Sequence, residues 1–193
     1  MRCLKRDFKP GAIFHIYNHA IDDYQLCYDD MDYDFLLQSI SRNIRKTPAS
    51  IFAYCIMPNH YHFLIRQDSE KPIYRIFNYA FIGYAQYFNK KYDRKGPIFR
   101  SPLQHKLVTN QEYLIQLCKY IHMNPVKANL ADNPEDWIYS NYLEWIKKRN
   151  GKLISREIHE IYFPDPKDYI AYINSYNNFI SIKSFRKLLL DYN

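Results

Sequence analysis

The chain has 193 residues and a mass of 23.5 kDa, enough for one domain with a substantial core plus an appendage and too short for two full-sized domains. Lys+Arg 27 against Asp+Glu 20 gives a formal charge of +7 and a pI near 9.1, an excess that favours an anionic partner such as nucleic acid without selecting DNA, RNA or a membrane surface. With 47% hydrophobic residues and only four glycines the chain is globular, and no run approaches the ~18 to 20 uncharged apolar residues of a membrane-spanning helix.

Met1-Arg2-Cys3-Leu4-Lys5-Arg6-Asp7 lacks a secretory apolar region, so a cytoplasmic location is expected. The run from Gly11 to Asn18, Gly11-Ala12-Ile13-Phe14-His15-Ile16-Tyr17-Asn18, reads as a first, buried strand. Asp29, Asp30 and Asp32 then precede Phe35, Leu36, Leu37, Ile40 and Ile44, an acidic first turn followed by helical spacing, which predicts a helix from about Met31 to Arg45. Two strand-like runs, Ser50 to Met57 and His60 to Arg66, flank Pro58-Asn59 and predict a β-hairpin. Ile73, Ile76, Phe77, Ala80, Phe81, Tyr84 and Phe88 recur at three- and four-residue steps, so a long amphipathic helix is expected from Pro72 to about Tyr92.

Pro97 through Val108 reads as another strand or extended pair, interrupted by Pro102. Tyr113, Leu114, Leu117, Cys118 and Ile121 predict a helix from Gln111 to about Met123, ending near Asn124-Pro125. This order implies an α+β fold, with a ferredoxin-like antiparallel sheet carrying helices on one face and a C-terminal helical extension. Residues 1–148 form the expected main domain, with a short helix to about Lys148; residues 149–193 form an extension of one or two helices packed on it. The cysteines, Cys3, Cys27, Cys55 and Cys118, contain no C-x-x-C pair and are expected to be reduced, mostly buried thiols. The 20 Tyr and 12 Phe fit a core, base-stacking platforms or a compositional bias.

His60 and His62 lie two apart on a predicted strand, so their side chains share one face and can hold one metal ion; alternation sends Tyr61, Phe63 and Ile65 under the helices and leaves the histidine face more accessible. The plainer reading of such a pair is hydrogen bonding alone. Tyr120 and Asn124, four apart, share a helix face, but nothing in the spacing singles out one tyrosine among 20.

Two longer motifs do. Tyr54-Cys55-Ile56-Met57-Pro58-Asn59-His60-Tyr61-His62-Phe63-Leu64-Ile65 and Tyr120-Ile121-His122-Met123-Asn124-Pro125-Val126-Lys127-Ala128 resemble the signatures of the REP-associated tyrosine transposases, within the single-strand His-hydrophobic-His class of IS200-like transposases. Supporting pieces occur in order: Phe14 to Asn18, Asp30-Met31-Asp32-Tyr33, Gly96 to Arg100, and Trp137-Ile138-Tyr139-Ser140. The resemblance spans about Phe14 to Tyr142. It implies that His60, His62 and Asn124 ligate a divalent metal, Mg²⁺ or Mn²⁺, while Tyr120 is the nucleophile of a single-stranded DNA transesterase. Cleavage and rejoining would pass through a 5′-phosphotyrosine link.

The implied partner is single-stranded DNA with imperfect hairpins, REP-like or from a transposon end, with the protein nucleoid-associated when bound. Arg100, Lys106, Lys90, Lys91, Arg94 and Lys95, together with Arg2, Lys5, Arg6 and Lys9, are candidate phosphate contacts. The chain departs from the family pattern at His19-Ala20, where Arg-Gly is common. Three rivals stand beside this reading: a catalytically inactive hairpin-DNA binder of the same fold, an RNA-binding ferredoxin-like module, and a structural zinc protein using Cys55, His60, His62 and Cys118. The oligomeric expectation leans to monomer.

Overall fold

The computed structural model describes residues 8–21, 24–151 and 153–175, so Cys3, Arg2, Lys5 and Arg6 lie outside the described residues. The chain runs β1 (Ile13–His19), α1 (Asp30–Ile44), β2 (Ala49–Ile56), β3 (His60–Gln67), α2 (Tyr74–Lys91), β4 (Gln104–Val108), α3 (Gln111–His122) and α4 (Asn124–Lys127). A 3-10 turn at Pro134–Asp136 then leads to α5 (Tyr142–Trp145), α6 (Glu157–Tyr162) and α7 (Pro166–Asn174).

The four strands form one antiparallel sheet in the order β2-β3-β1-β4, the ferredoxin-like arrangement expected for a strand-helix-strand-strand-helix-strand chain. On one face Phe14, Ile16, Tyr61, Phe63 and Ile65 pack under Leu36 and Ile40 of α1 and Ile76, Phe77, Phe81 and Phe88 of α2. The acidic start of α1 is a capping box, in which the Asp29 carboxylate accepts from the Asp32 backbone N–H and the Asp32 carboxylate accepts from the Asp29 backbone N–H.

The opposite face is covered as well, which differs from the expected helices on one side. α3 lays Leu114, Leu117, Cys118 and Ile121 against Ala53, Cys55 and Leu64, and Trp145, Tyr169 and Ile173 of the later helices close over them. The reason lies in β2: Ile51 to Ile56 is buried at every position, so its unbroken apolar run needs cover on both sides. Consequently the histidine face is not open, and His62 is only 4% exposed.

β2 is also an edge strand, and the segment after the 3-10 turn satisfies its outer backbone groups. The Ile56 N–H donates to the Tyr139 carbonyl, the Tyr54 N–H to Asn141 Oδ1, and the Trp145 and Asn141 side chains to the Phe52 carbonyl. Only Gln104–Val108 of the segment expected to be extended from Pro97 is strand; residues 97–103 form a connector, in which Phe99 bridges to Ala20 and the two prolines have no N–H for a ladder. Cys27, Cys55 and Cys118 are buried free thiols, and burial pushes the Cys27 thiol up to about 12. Among the described residues no helix is long and apolar enough to cross a membrane.

Candidate active site

Antiparallel pairing sets His19 opposite His60 and Tyr17 opposite His62, so a row of rings lines one sheet face at the end of the β2–β3 hairpin. The His60 and His62 ring centroids are 5.1 Å apart, and His19 stacks on His60 at 5.0 Å. α3 crosses this face and delivers Tyr120 edge-on to His62, with centroids 5.3 Å apart. Helical backbone continues through Met123 into α4, where Pro125 occupies a first-turn position that needs no N–H. Asn124 therefore stays one turn from Tyr120, and its Nδ2 donates to the Tyr120 carbonyl at 3.4 Å.

The atoms that face inward matter most. His60 Nδ1 is 2.7 Å from Asn59 Oδ1, an oxygen that only accepts, so the His60 proton sits on Nδ1 and Nε2 carries a lone pair. That Nε2 lies 3.3 Å from Asn124 Oδ1, whose amide nitrogen is turned to the Tyr120 carbonyl. Two acceptors thus face each other with no proton between them, an arrangement that a cation satisfies. The spacing fits one: two ligands about 2.1 Å from an octahedral divalent ion, at right angles, lie about 3 Å apart.

His62 likewise has its Nδ1 engaged, 2.9 Å from His15 Nε2. Burial pushes His60 down to about 4, with the charge of His19 adding and the Asn124 amide oxygen, which would accept from a protonated ring, opposing. Burial, then His15, His60 and His19, holds His62 well below the ordinary imidazole range. Both rings are neutral at pH 7, the form that ligates metals. Burial raises the Tyr120 phenol and hydrogen bonding to Asn124 opposes the shift.

Among the described residues no group of three or more His, Cys, Asp and Glu side chains gathers around one point. The structural zinc alternative is corrected accordingly: Cys55 contacts the Met57 sulfur within the core, and the four residues form no closed site. His60, His62 and Asn124 offer two imidazole nitrogens and one amide oxygen, a neutral donor set that could hold a divalent cation.

The basic candidates divide. Arg100 is exposed beside the cluster, its N–H donating to the His19 carbonyl at 3.0 Å and its charge lowering His19 after the larger effect of burial. Lys106 stands on β4 with its ammonium 5.8 Å from the Tyr113 ring centroid. Lys91 is an ion-pair partner of Asp29 and Asp32, and Arg94 lies over the Tyr24 ring at 4.1 Å, so both are tied into the fold near the end of α2. Lys90 and Lys95 are exposed there.

Sequence reasoning missed His15, Asn59 and Lys127 as parts of this cluster. The strand period put His15 on the face of His60 and His62 once β1 is paired with β3; Asn59 was adjacent in the motif. Lys127 brings its ammonium 4.9 Å from the Tyr120 ring centroid, and desolvation followed by the charge of Lys119 pushes it down to about 8.

Residues 11–124, which include all four strands and every member of the cluster except Lys127, match the family described as IS200-like transposase. A Haemophilus influenzae protein assigned as a REP-associated tyrosine transposase is 24% identical over 154 residues, 74% of this chain and 86% of that protein. The solved structure of a REP-associated tyrosine transposase bound to a REP hairpin superposes with a TM-score of 0.61 at 18% identity, covering 81% of this chain and 98% of that one, which shows a common fold.

Proposed function

The chain belongs to the IS200-like transposase family, and from that premise we propose that it is a metal-dependent tyrosine transesterase acting on single-stranded DNA beside an imperfect hairpin. The observation that carries the reading is the pair of opposed acceptors, His60 Nε2 and Asn124 Oδ1 at 3.3 Å, one helical turn from Tyr120. His60, His62 and Asn124 would hold Mg²⁺ or Mn²⁺. Such an ion supplies charge neutralisation and orientation for the scissile phosphate.

Tyr120 does the bond-making. Its phenolic oxygen attacks the phosphorus in line, the P–O bond to the 3′ oxygen breaks, and the strand end becomes a 5′-phosphotyrosine with a free 3′-OH. The proton that Tyr120 loses is matched by the one the 3′ oxygen gains. A second 3′-OH reverses the step and rejoins strands, because the phosphotyrosine keeps the energy of the original diester. Burial raises the Tyr120 phenol, so its deprotonation must be assisted within the site as it attacks.

Arg100 and Lys106 flank the cluster as phosphate contacts, with Lys90 and Lys95 at the end of α2 further along. Residues 1–148 are the catalytic domain of this reading and residues 149–193 a C-terminal extension, of which α6 and α7 pack against it. A single chain brings Tyr120 beside His62, and action as a monomer belongs to this proposal. Working on REP-like or transposon-end hairpins, the protein acts in the cytoplasm, on the nucleoid when bound.

The test compares wild type with Tyr120→Phe, each incubated with labelled hairpin-bearing single strands from beside the gene, with Mg²⁺, Mn²⁺ or chelator. A covalent protein–DNA band on denaturing gels, seen only for wild type and only with metal, is expected. Tight hairpin binding by both proteins with no cleavage under any condition would replace this reading with a binding-only protein.

A further inference from the structure

His15, on β1, is completely buried, and its Nε2 lies 2.9 Å from His62 Nδ1, with ring centroids 5.1 Å apart. Its direct neighbour across β3 is Leu64, so the ring reaches diagonally along the sheet to His62. Its other nitrogen, Nδ1, is buried with no hydrogen-bond partner among the described residues.

A neutral imidazole has one N–H and one acceptor nitrogen, so the contact fixes two tautomers at once. If His62 offers Nε2 to a cation, its proton is on Nδ1 and donates to His15 Nε2. The His15 proton then sits on Nδ1, the atom that has no partner. An orphaned buried N–H of this kind is destabilising, and a leucine at position 15 would carry no such group. Core packing alone does not explain a histidine here.

We propose that His15 is a positioning residue, which holds the His62 ring and its tautomer so that Nε2 is the nitrogen presented to the metal. It touches neither substrate nor ion. Asn59 performs the matching task for His60, so each ring has its Nδ1 secured from behind. The inference rests on the metal reading of His60, His62 and Asn124 given above.

The experiment titrates Mn²⁺ into wild type, His15→Leu and His15→Gln, read by paramagnetic resonance of the free ion, with no DNA present. The leucine variant is expected to lose about 10- to 100-fold in Mn²⁺ affinity, the usual range for removing such a support. The glutamine variant, whose Oε1 can accept from His62 Nδ1, recovers most of it. Melting temperature and hairpin binding in chelator should be alike in all three, since leucine merely moves the orphaned group from His15 to His62.

A folded His15→Leu that binds Mn²⁺ as wild type does overturns the inference and leaves the metal site standing. Wild type that binds no Mn²⁺ overturns the metal reading, and the role of His15 with it. Should the leucine variant not fold, ring ¹⁵N spectra of Mg²⁺-loaded wild type decide: protons on Nδ1 of both His15 and His62 support the proposal, and a His62 proton on Nε2 overturns it.

Discussion

At the scale of single residues, Asn124 is the most exacting member of the cluster, because its amide is divided between two tasks. Nδ2 is turned to the Tyr120 carbonyl and Oδ1 to His60 Nε2, so the oxygen is free for a cation only in this orientation. Asn124→Ala leaves the His60 lone pair facing a gap, and Mn²⁺ affinity should fall by at least the ~10- to 100-fold that follows loss of an outer-shell support. Asn124→Asp places a carboxylate, the ligand hard ions prefer, and should bind Mn²⁺ more tightly than wild type. Calorimetric titration separates the three; equal affinities would remove Asn124 from the ligand set. His60 and His62 were legible as a same-face pair from their local strand spacing, whereas Tyr120 and Asn124 were singled out only by the resemblance of the two motifs to the family. The parts played by His15 and Asn59 were not legible, since they depend on which ring nitrogen meets which atom, and that follows from strand pairing across 47 residues.

At the scale of elements, α1 and α2 are fastened by one carboxylate. Asp32 is fully buried and accepts from Lys91 Nζ at 2.8 Å, the Tyr92 hydroxyl at 2.6 Å, the Tyr87 hydroxyl at 3.1 Å and the Tyr28 N–H at 2.8 Å. Burial alone raises this carboxyl, but the hydrogen bonds from Lys91, Tyr92, Tyr28 and Tyr87 together outweigh it, and the net shift is downward. A folded-state value below the unfolded one stabilises the protein at every pH above the unfolded value, and that stability is lost as pH falls through the folded value. Asp32→Asn should therefore destabilise by about 2–4 kcal/mol near neutrality, by loss of a charge-assisted cluster. The gap between variant and wild type should narrow below about pH 4. Urea unfolding at a series of pH values measures it, and a gap constant down to pH 3 would contradict the assignment. Lys91 belongs to this clamp, which explains why a basic residue at a helix end need not face nucleic acid. The clamp's first half was readable, as Asp29 and Asp32 before an apolar run; its second half comes from a helix 59 residues later. The same limit hid the two-sided sheet, because a stripe on α3 shows that the helix is buried without showing on which face.

At the scale of the whole molecule, the helix carrying Tyr120 is held from behind by the last described elements. Asn141 Oδ1 accepts from the Tyr54 N–H at 2.6 Å and lies 3.0 Å from His122 Nε2, which makes that nitrogen a donor and leaves His122 Nδ1 to accept from the Tyr169 hydroxyl at 2.5 Å. One hydrogen-bonded line thus joins α7, α3 and the edge strand, and Lys119 adds to it by donating to the Tyr172 carbonyl at 2.7 Å, in the last turn of α7. Tyr169 also packs on Trp145 at 4.4 Å between ring centroids. Tyr169→Phe keeps the packing but leaves His122 Nδ1 buried without a donor, a cost of about 1–3 kcal/mol. Tyr169→Ala also opens a cavity, for about 3–5 kcal/mol. At roughly 2–4 °C per kcal/mol for a chain of this length, the alanine variant should melt about 10 °C lower and the phenylalanine variant should fall between it and wild type. Ile161→Ala, on a side chain 61% exposed, should change stability by less than about 0.5 kcal/mol. Neither tyrosine change touches His60, His62 or Asn124, so Mn²⁺ affinity measured well below each melting point should stay at the wild-type value. A Tyr169→Ala protein as stable as wild type would mean that α7 rests on the helix carrying Tyr120 without fastening it, and the position of Tyr120 would then have to be set by the sheet alone.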